Sequence, residues 1–320
     1  MNIAVIGAGL SGVTAALSLK GAGHTVSLFE KSRGPSGRMS TRRSGEWQAD
    51  HGAQYFTAKR PDFQEQVQQW CDQGLAAEWT GRIENQGARR PIKRYVATPR
   101  MNALVAQLCT DLPLTTEFTL TELKQSAQGW QLFSKEQGLL NTCFDAVILS
   151  IPSPQLMPFM QHLPQTWQPI IEANVYSPCW TIMAGYQDPL PLPFDGRFIE
   201  NAPLSWVARN HSKPGRTGPE TWTLHASPSF SLEHLEDEPE VVTQVCLKAF
   251  AELGARQPDW VQTHRWRYAL ATNPLAPPDQ SLWSPEQQLG LCGDWLADGR
   301  IEGAWRSGLG CANKLREGAA

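Results

Sequence analysis

The sequence predicts an α/β (α+β) chain of two domains, one with a parallel sheet, helices and a β-meander, the other built on an antiparallel sheet. Three observations carry that expectation. Residues 1–30 read as strand, glycine turn, helix, strand and acid. Residues 112–150 and 289–312 return to short apolar strands and small-residue helix patterns. Residues 155–284 have another texture, rich in proline and in aromatic segments that alternate with period two.

The first stretch organises the rest. Ile3 to Ile6 is an apolar run of strand length, followed by Gly7-Ala8-Gly9-Leu10-Ser11-Gly12. Val13, Ala16 and Leu17 then fall at helical spacing, and a second strand ends in Glu30, eighteen residues past Gly12. This is the order of a Rossmann-like dinucleotide-binding unit. Gly7 permits the tight turn, Gly9 lets a pyrophosphate approach the backbone, and Gly12 lets helix and strand pack closely. The helix N-terminus offers unpaired N–H groups and partial positive charge to the phosphates. Glu30 is placed to accept hydrogen bonds from a ribose.

The loop after Glu30 begins at Lys31 and carries Gly37-Arg38-Met39. A guanidinium there can fork onto phosphate oxygens, so Arg38 is expected to make a second approach to the same pyrophosphate. Ala49 to Thr57, which includes Asp50, His51, Gly52, Ala53, Gln54, Tyr55 and Phe56, reads as a bend carrying polar groups towards a ligand. Residues 62–70 predict an amphipathic helix with Phe63, Val67 and Trp70 on one side. The segment 82–94 is basic, with Arg89, Arg90, Lys93 and Arg94. Thr98 is expected to cap another helix, with Pro99 in its first turn. Strands near 115–123 and 129–134 and a turn near Gly138 predict the meander. The run 147–149, stopped by Pro152 and Pro154, completes the first domain's sheet.

In the second texture, candidate strands are 174–186, 205–210, 221–226 and 261–269, with a single helix at 239–253. The set His264, Trp266 and Tyr268 falls on one face of its strand. The last stretch has an apolar strand running into Gly293-Asp294, then Glu302-Gly303-Ala304 at a helix start. Asp294 can hold a polyol chain. The expected division is 1–57, 98–154 and 285–320 for the dinucleotide domain, with 58–97 and 155–284 for the substrate domain.

Composition narrows the function. The 320 residues are 41% hydrophobic and 18% charged, with net charge −3, which argues against nucleic acid as main partner. No apolar run approaches the roughly 20 residues of a membrane span. The first strand opens at residue 2 or 3, leaving no room for a signal peptide, so a cytoplasmic protein is expected. Seven scattered cysteines form no CxxC and no Cys/His cluster, which predicts free thiols and no metal site. Nine of the thirteen tryptophans follow residue 160, so the second domain is expected to line a pocket with flat faces.

Together these motifs resemble the flavin-containing amine oxidase superfamily and, within it, the bacterial renalase family. The superfamily features are Gly7-x-Gly9-x-x-Gly12 with Glu30, Gly37-Arg38 with Thr41, Gly293-Asp294 and Glu302-Gly303-Ala304. The renalase-like ones are Asp50-x-Gly52-Ala53-Gln54-Tyr55, the block 206–216 and His264-Arg265-Trp266-Arg267-Tyr268. The resemblance implies non-covalent FAD in an extended conformation, with a backbone group of Leu120 at the adenine. It also implies oxidation of 2- and 6-dihydro-NAD(P) isomers to NAD(P)+ by hydride transfer to flavin N5, with O2 reduced to hydrogen peroxide. Two departures stand out. Ser36 replaces a usual glycine before Arg38, and no lysine lies between Lys248 and Lys314, where many amine oxidases place one near N5; His264 occupies that strand instead.

Pockets favour domain junctions, so the chain crossings at Phe56, Thr57, Lys59 and Arg60 and at Arg94 and Tyr95 are substrate candidates. Tyr186, Trp206, His264 and Tyr268 join them, with Arg209, Lys213 and Arg216 as second choices for substrate phosphates. A conventional amine oxidase or desaturase, and a flavoprotein with a structural or redox-sensing role, are the rival readings.

Overall fold

The computed structural model describes residues 1–84, 92–200, 202–273, 275–277 and 280–318. Arg89 and Arg90 lie outside these. The chain divides into two compact units: Met1–Gly37, Val105–Val175 and Ala271–Ala320 form the first, Arg38–Leu104 and Tyr176–Leu270 the second. The hairpin Thr41–Ser44/Trp47–Asp50 falls in the second unit, its backbone held by threonines of that unit's sheet.

In the first unit, β1 (Asn2–Ile6) lies at the middle of a six-stranded sheet. Its order is Leu282–Ser284, Leu289–Leu291, Ala146–Leu149, β1, β2 (Thr25–Phe29), Leu114–Thr115. All neighbours are parallel except the outermost pair, Leu282–Ser284 with Leu289–Leu291. Ile3 to Ile6 and Ala146 to Leu149 are buried on both faces, as a sheet covered on both sides requires. Helix α1 (Leu10–Gly21) packs against the C-terminal helix Ile301–Gly318. A Cβ on Gly308 would strike the carbonyl of Ser11, so glycine sets the closeness of that crossing. The meander is present as Leu120–Ser126, Gly129–Ser134 and Gly138–Leu139.

The second unit is built on a six-stranded sheet in the order Trp260–Thr272, Val175–Tyr186, Glu220–Ala226, Leu204–Arg209, Gly196–Phe198, Ile83–Glu84. Its central pairs are antiparallel. The helix Pro239–Ala251 covers one face, burying Val242, Cys246 and Phe250 against Ile182, Ala184, Val207, Trp222 and Leu224. Thr181, Met183, Thr223 and His225 alternate onto the opposite face. A register shift between Leu204 and Trp206 turns the indole to that opposite face, although Leu204 belongs to the helix-side core.

Pro61–Asp72 is the expected amphipathic helix, with Phe63, Val67 and Trp70 buried. Thr98 is not a helix cap: its hydroxyl donates to the Gly74 carbonyl, and the following helix runs Met101–Leu108. Asp50 takes the capping role instead, accepting from the Met101 N–H at 3.1 Å. All seven cysteines are free thiols. Among the described residues, no helix is long and apolar enough to cross a membrane, and no group of three or more His, Cys, Asp or Glu could hold a metal ion.

Candidate cofactor cradle and candidate active-site face

In the first unit, the turn at Gly7 to Gly12 is held from both sides. Gly7 has φ 104°, and a Cβ there would strike the Ser150 carbonyl, so only glycine carries the chain past that strand end. Glu30 accepts from the Ala8 N–H at 2.9 Å and from the Ser32 N–H at 2.8 Å, one on each carboxylate oxygen. It thereby ties the turn to the β2 end while each oxygen keeps a further lone pair. Helix α1 begins at Gly9 with no side-chain cap and no acid in its first turn. Its leading N–H groups and its dipole are therefore offered outward. A Cβ built at Gly9 meets nothing within 4 Å, so a ligand can approach the backbone there.

The same unit places the other expected cofactor residues. Phe118 N–H donates to the Glu30 carbonyl at 3.0 Å, which brings the start of the Leu120 strand beside the acid. Lys31 is exposed and donates to Gln155 at 3.1 Å. Asp294 is buried where the strand Leu289–Leu291 runs out, and Ser307 accepts from the Gly293 N–H at 2.9 Å. Glu302 and Gly303 are buried in the first turn of the C-terminal helix, with Ala304 beside them. Uncapped N–H groups, an open glycine and a ribose-ready carboxylate suit a dinucleotide cofactor.

In the second unit, everything turns on the segment Asp50 to Tyr55. Asp50 is fully buried. Its Oδ2 accepts from Arg216 Nη2 at 2.6 Å and Lys213 Nζ at 3.3 Å, and its Oδ1 from Thr41 Oγ1 at 2.7 Å. Burial alone would raise its pKa, but Lys213 and Arg216 outweigh that and bring it to about 2. Burial lowers Lys213 to about 8, with Asp50 opposing the drop. The Asp50 carbonyl accepts from Thr223 Oγ1 at 2.9 Å, so the segment is laid along the sheet face that the helix leaves uncovered. Ala53 N–H donates to the Arg38 carbonyl at 2.8 Å.

One end of the segment carries imidazoles. His51 lies 5.0 Å from the His264 ring and 5.2 Å from Trp266, whose indole N–H donates to the His51 carbonyl at 3.0 Å. Burial lowers His51 to about 3, with His264 and Arg42 adding to the effect. Burial and then Arg42 bring His264 to about 4, and burial brings His225 to about 4. All three are neutral at physiological pH. At the other end, Tyr55 meets Trp79 and Trp206 at 6.1 and 5.7 Å, and the Arg94 guanidinium lies 5.2 Å from the Tyr55 ring centre. Trp206 Nε1 is buried without a hydrogen-bond partner.

Several expected residues have other work. Tyr186 sits in the helix-side core with its hydroxyl on the Arg256 carbonyl at 3.3 Å, because strand alternation turns it away from the His51 face. Arg209 is paired with Glu220 at 3.1 Å and Asp195 at 3.5 Å, so its charge is already compensated. Gln54 donates to the Asp50 and Gly52 carbonyls and accepts from Lys213, which uses its amide inside the segment. Lys213 and Arg216 are buried partners of Asp50 rather than surface cations. Arg38 donates to the Ala269 carbonyl at 3.2 Å and lies over Tyr176, which also packs on Tyr268 at 5.4 Å. Met39 is buried, Phe56 pairs with Tyr95 through their backbones, Thr57 is half-buried, and Lys59 and Arg60 are exposed.

Sequence reasoning missed the Asp50–Lys213–Arg216 cluster and Arg42. Asp50 and Lys213 are 163 residues apart, so no spacing announces the contact. Arg42 follows the Gly37-Arg38-Met39 loop and was given no role of its own.

Residues 70–316 match the model of the family described as flavin containing amine oxidoreductase, and residues 5–73 match an NAD(P)-binding Rossmann-like domain. The chain belongs to the flavin containing amine oxidoreductase family. Membership implies a flavin cofactor, and the cradle at Gly7 to Gly12 fits one. Among curated relatives, an L-amino-acid oxidase of Sistrurus catenatus edwardsii is 35% identical over 69 residues, 22% of this chain and 13% of that protein. One of Daboia russelii is 37% identical over 71 residues, 22% of this chain and 14% of the relative. These matches thus span only a small part of the relatives' length. Across the whole fold, a putrescine oxidase with redesigned cofactor binding superposes with TM-score 0.76 at 14% identity, covering 99% of both chains. A putative protoporphyrinogen oxidase from Exiguobacterium sp. 255-15 does so with TM-score 0.77 at 12% identity, covering 99% of this chain and 98% of that one. This amine oxidoreductase therefore shares its fold with oxidases whose named substrates differ.

Proposed function

We propose that this amine oxidoreductase family member is a renalase-like oxidase: it binds FAD non-covalently and oxidises 2- and 6-dihydro isomers of NAD(P) to NAD(P)+. O2 is reduced to hydrogen peroxide. The observation that supports this reading is the chemistry of the His51 face. It offers neutral imidazoles, a tryptophan and the Arg42 guanidinium, while Asp50, the carboxylate facing His51, is already held by two cations. An ammonium substrate would find no free carboxylate there. Amine oxidation also needs a deprotonated amine, and an imidazole pushed down to about 4 is a weak base.

A dihydropyridine makes no such demand, because loss of hydride leaves an aromatic cation and no proton need be taken. When bound, FAD would supply the hydride acceptor and the route of the electrons to oxygen. What this chain must then supply is orientation and a dry site. Trp266, Tyr55 and Trp206 offer flat surfaces, and Asp50 fixes the segment that carries Tyr55. Glu30 and the α1 N-terminus would hold the ribose and pyrophosphate of FAD, Asp294 its polyol chain.

Anaerobic mixing tests the reading. The 2- and 6-dihydro isomers are expected to bleach the flavin within the mixing experiment, while putrescine and L-amino acids leave it yellow. Rapid bleaching by an amine with no response to the isomers would replace the proposal with a conventional amine oxidase. A flavin bleached by neither would point to a structural or redox-sensing role. The cofactor has its own test: Glu30→Ala should weaken FAD binding by about 1.5–3 kcal/mol, the worth of a hydrogen bond to a charged group. The released cofactor, identified by chromatography, should be FAD. Unchanged affinity would remove Glu30 from the ribose.

A further inference from the structure

We propose that Arg42, His51 and His264 together form an oxyanion-accepting site, one that takes the phosphate of a nucleotide substrate. The inference deepens the function proposed above, since it names what the His51 face would read in that substrate.

Three observations carry it. Among the described residues Arg42 has no ion pair, and its guanidinium meets the ring of His264, with Nη2 3.4 Å from Nδ1. Its Nε is buried with no hydrogen-bond partner. A half-buried guanidinium whose partner among the described residues is a neutral ring is a charge awaiting compensation. Second, His51 is 5% exposed, and its Nδ1 is likewise buried without a partner. Third, the three groups converge: the two rings lie 5.0 Å apart, and Arg42 depresses the protonation of both. The groups that face His51 are His264, Arg42, Asp50 and His225; Arg42 faces His264. Asp50 cannot compensate Arg42, because Lys213 and Arg216 already hold it.

An oxyanion seated here would accept from Arg42 Nε and from an imidazole N–H. Its negative charge would favour the protonated ring, so binding draws one proton from solvent onto His51 or His264, and no bond to the anion's central atom changes. Affinity should therefore rise as pH falls.

Sulfate is the probe of choice, because its charge is constant between pH 5.5 and 7.5. The flavin-loaded protein, with labelled histidine rings, would be titrated with sulfate at fixed ionic strength and followed by NMR. The His51 and His264 signals should shift saturably, with affinity rising as the pH is lowered. Arg42→Gln should abolish saturation; Arg42→Lys, which keeps the charge but loses the fork, should fold and bind roughly 10-fold more weakly. Nicotinamide mononucleotide displacing sulfate where nicotinamide riboside does not would assign the site to substrate phosphate. Displacement by inorganic phosphate alone would keep the oxyanion site and overturn its nucleotide role. No saturation, no pH dependence, or equal affinity in the Arg42 variants overturns the site itself. Because nothing here requires turnover, failure of the dihydronicotinamide isomers to bleach the flavin would sink the proposed function and leave this site standing.

Discussion

Asp50→Asn is expected to lower the unfolding free energy of the second unit by about 3–5 kcal/mol, with its thermal midpoint falling on the order of 10 °C. The reason is an imbalance of buried charge. Lys213 and Arg216 are 0% and 1% exposed at the side chain, and their common counterion is the Asp50 carboxylate. Replacing the acid by its amide keeps the shape but leaves two cations in a low-dielectric interior facing a neutral group. Part of the loss arises elsewhere, since the Thr41 hydroxyl and the Met101 N–H, which starts the helix Met101–Leu108, both donate to Asp50 Oδ1. A triple variant, Asp50→Leu with Lys213→Met and Arg216→Met, should recover most of the stability. Buried ion clusters exchanged for apolar side chains of similar volume are often neutral. The remaining deficit, about 1–3 kcal/mol, would be the unpaired hydroxyl and amide. Urea titration followed by tryptophan fluorescence measures both. An Asp50→Asn protein as stable as the parent would mean that Lys213 sheds its proton and that the cluster carries little charge.

The first unit was legible because its signals are local. Gly7, Gly9, Gly12 and Glu30 lie within 24 residues, and each has a backbone reason that does not depend on distant chain. The meander and the buried run Ala146–Leu149 follow from alternation and from a continuous apolar stretch, which sheet burial imposes directly. The second unit's strands were legible for the same cause, but its chemistry was not. Periodicity tells which residues share a face; it does not tell which face a helix will cover. Tyr186 reads as an aromatic ready for a substrate, and it packs under the helix Pro239–Ala251 because its alternation matches Trp222 and Ile182. Trp206 reads as an ordinary alternating residue, and only the register shift beside it sends the indole to the other face. Lys213 reads only as a second choice for a substrate phosphate. Its burial depends on Asp50, which nothing in the spacing connects to it. The absence of lysine from the strand Trp260–Thr272 was visible, and the neutrality of His264 there was not, since that comes from burial and Arg42.

Acid should destabilise the second unit well before its carboxylates titrate. His51 and His225 are neutral in the fold down to about 3 and 4, whereas an exposed imidazole in the unfolded chain gains its proton near 6.5. Between those values the unfolded state binds more protons than the native one, so stability falls as pH falls. The stabilisation is complete above about 6.5 and is lost progressively through the folded values. Each such histidine contributes a slope of about 1.4 kcal/mol per pH unit below 6, so His51 and His225 together give nearly 3. His264 adds to this in the same sense, but its partial exposure screens the penalty and its share is smaller. Asp50 does not cancel the trend, because its folded value of about 2 makes its own contribution vanish only below pH 4. Urea unfolding at pH 7.0, 6.0, 5.0 and 4.5 should show a plateau above 6.5 and a steep decline below 6. His225→Phe should remove about half of the slope contributed by the two buried rings. The decline should also soften in the presence of sulfate, if the oxyanion site takes up its proton as proposed. A stability that stays level from pH 6.5 to 4.5 would place charged imidazoles in the native fold and would remove the neutral face on which the substrate reading rests.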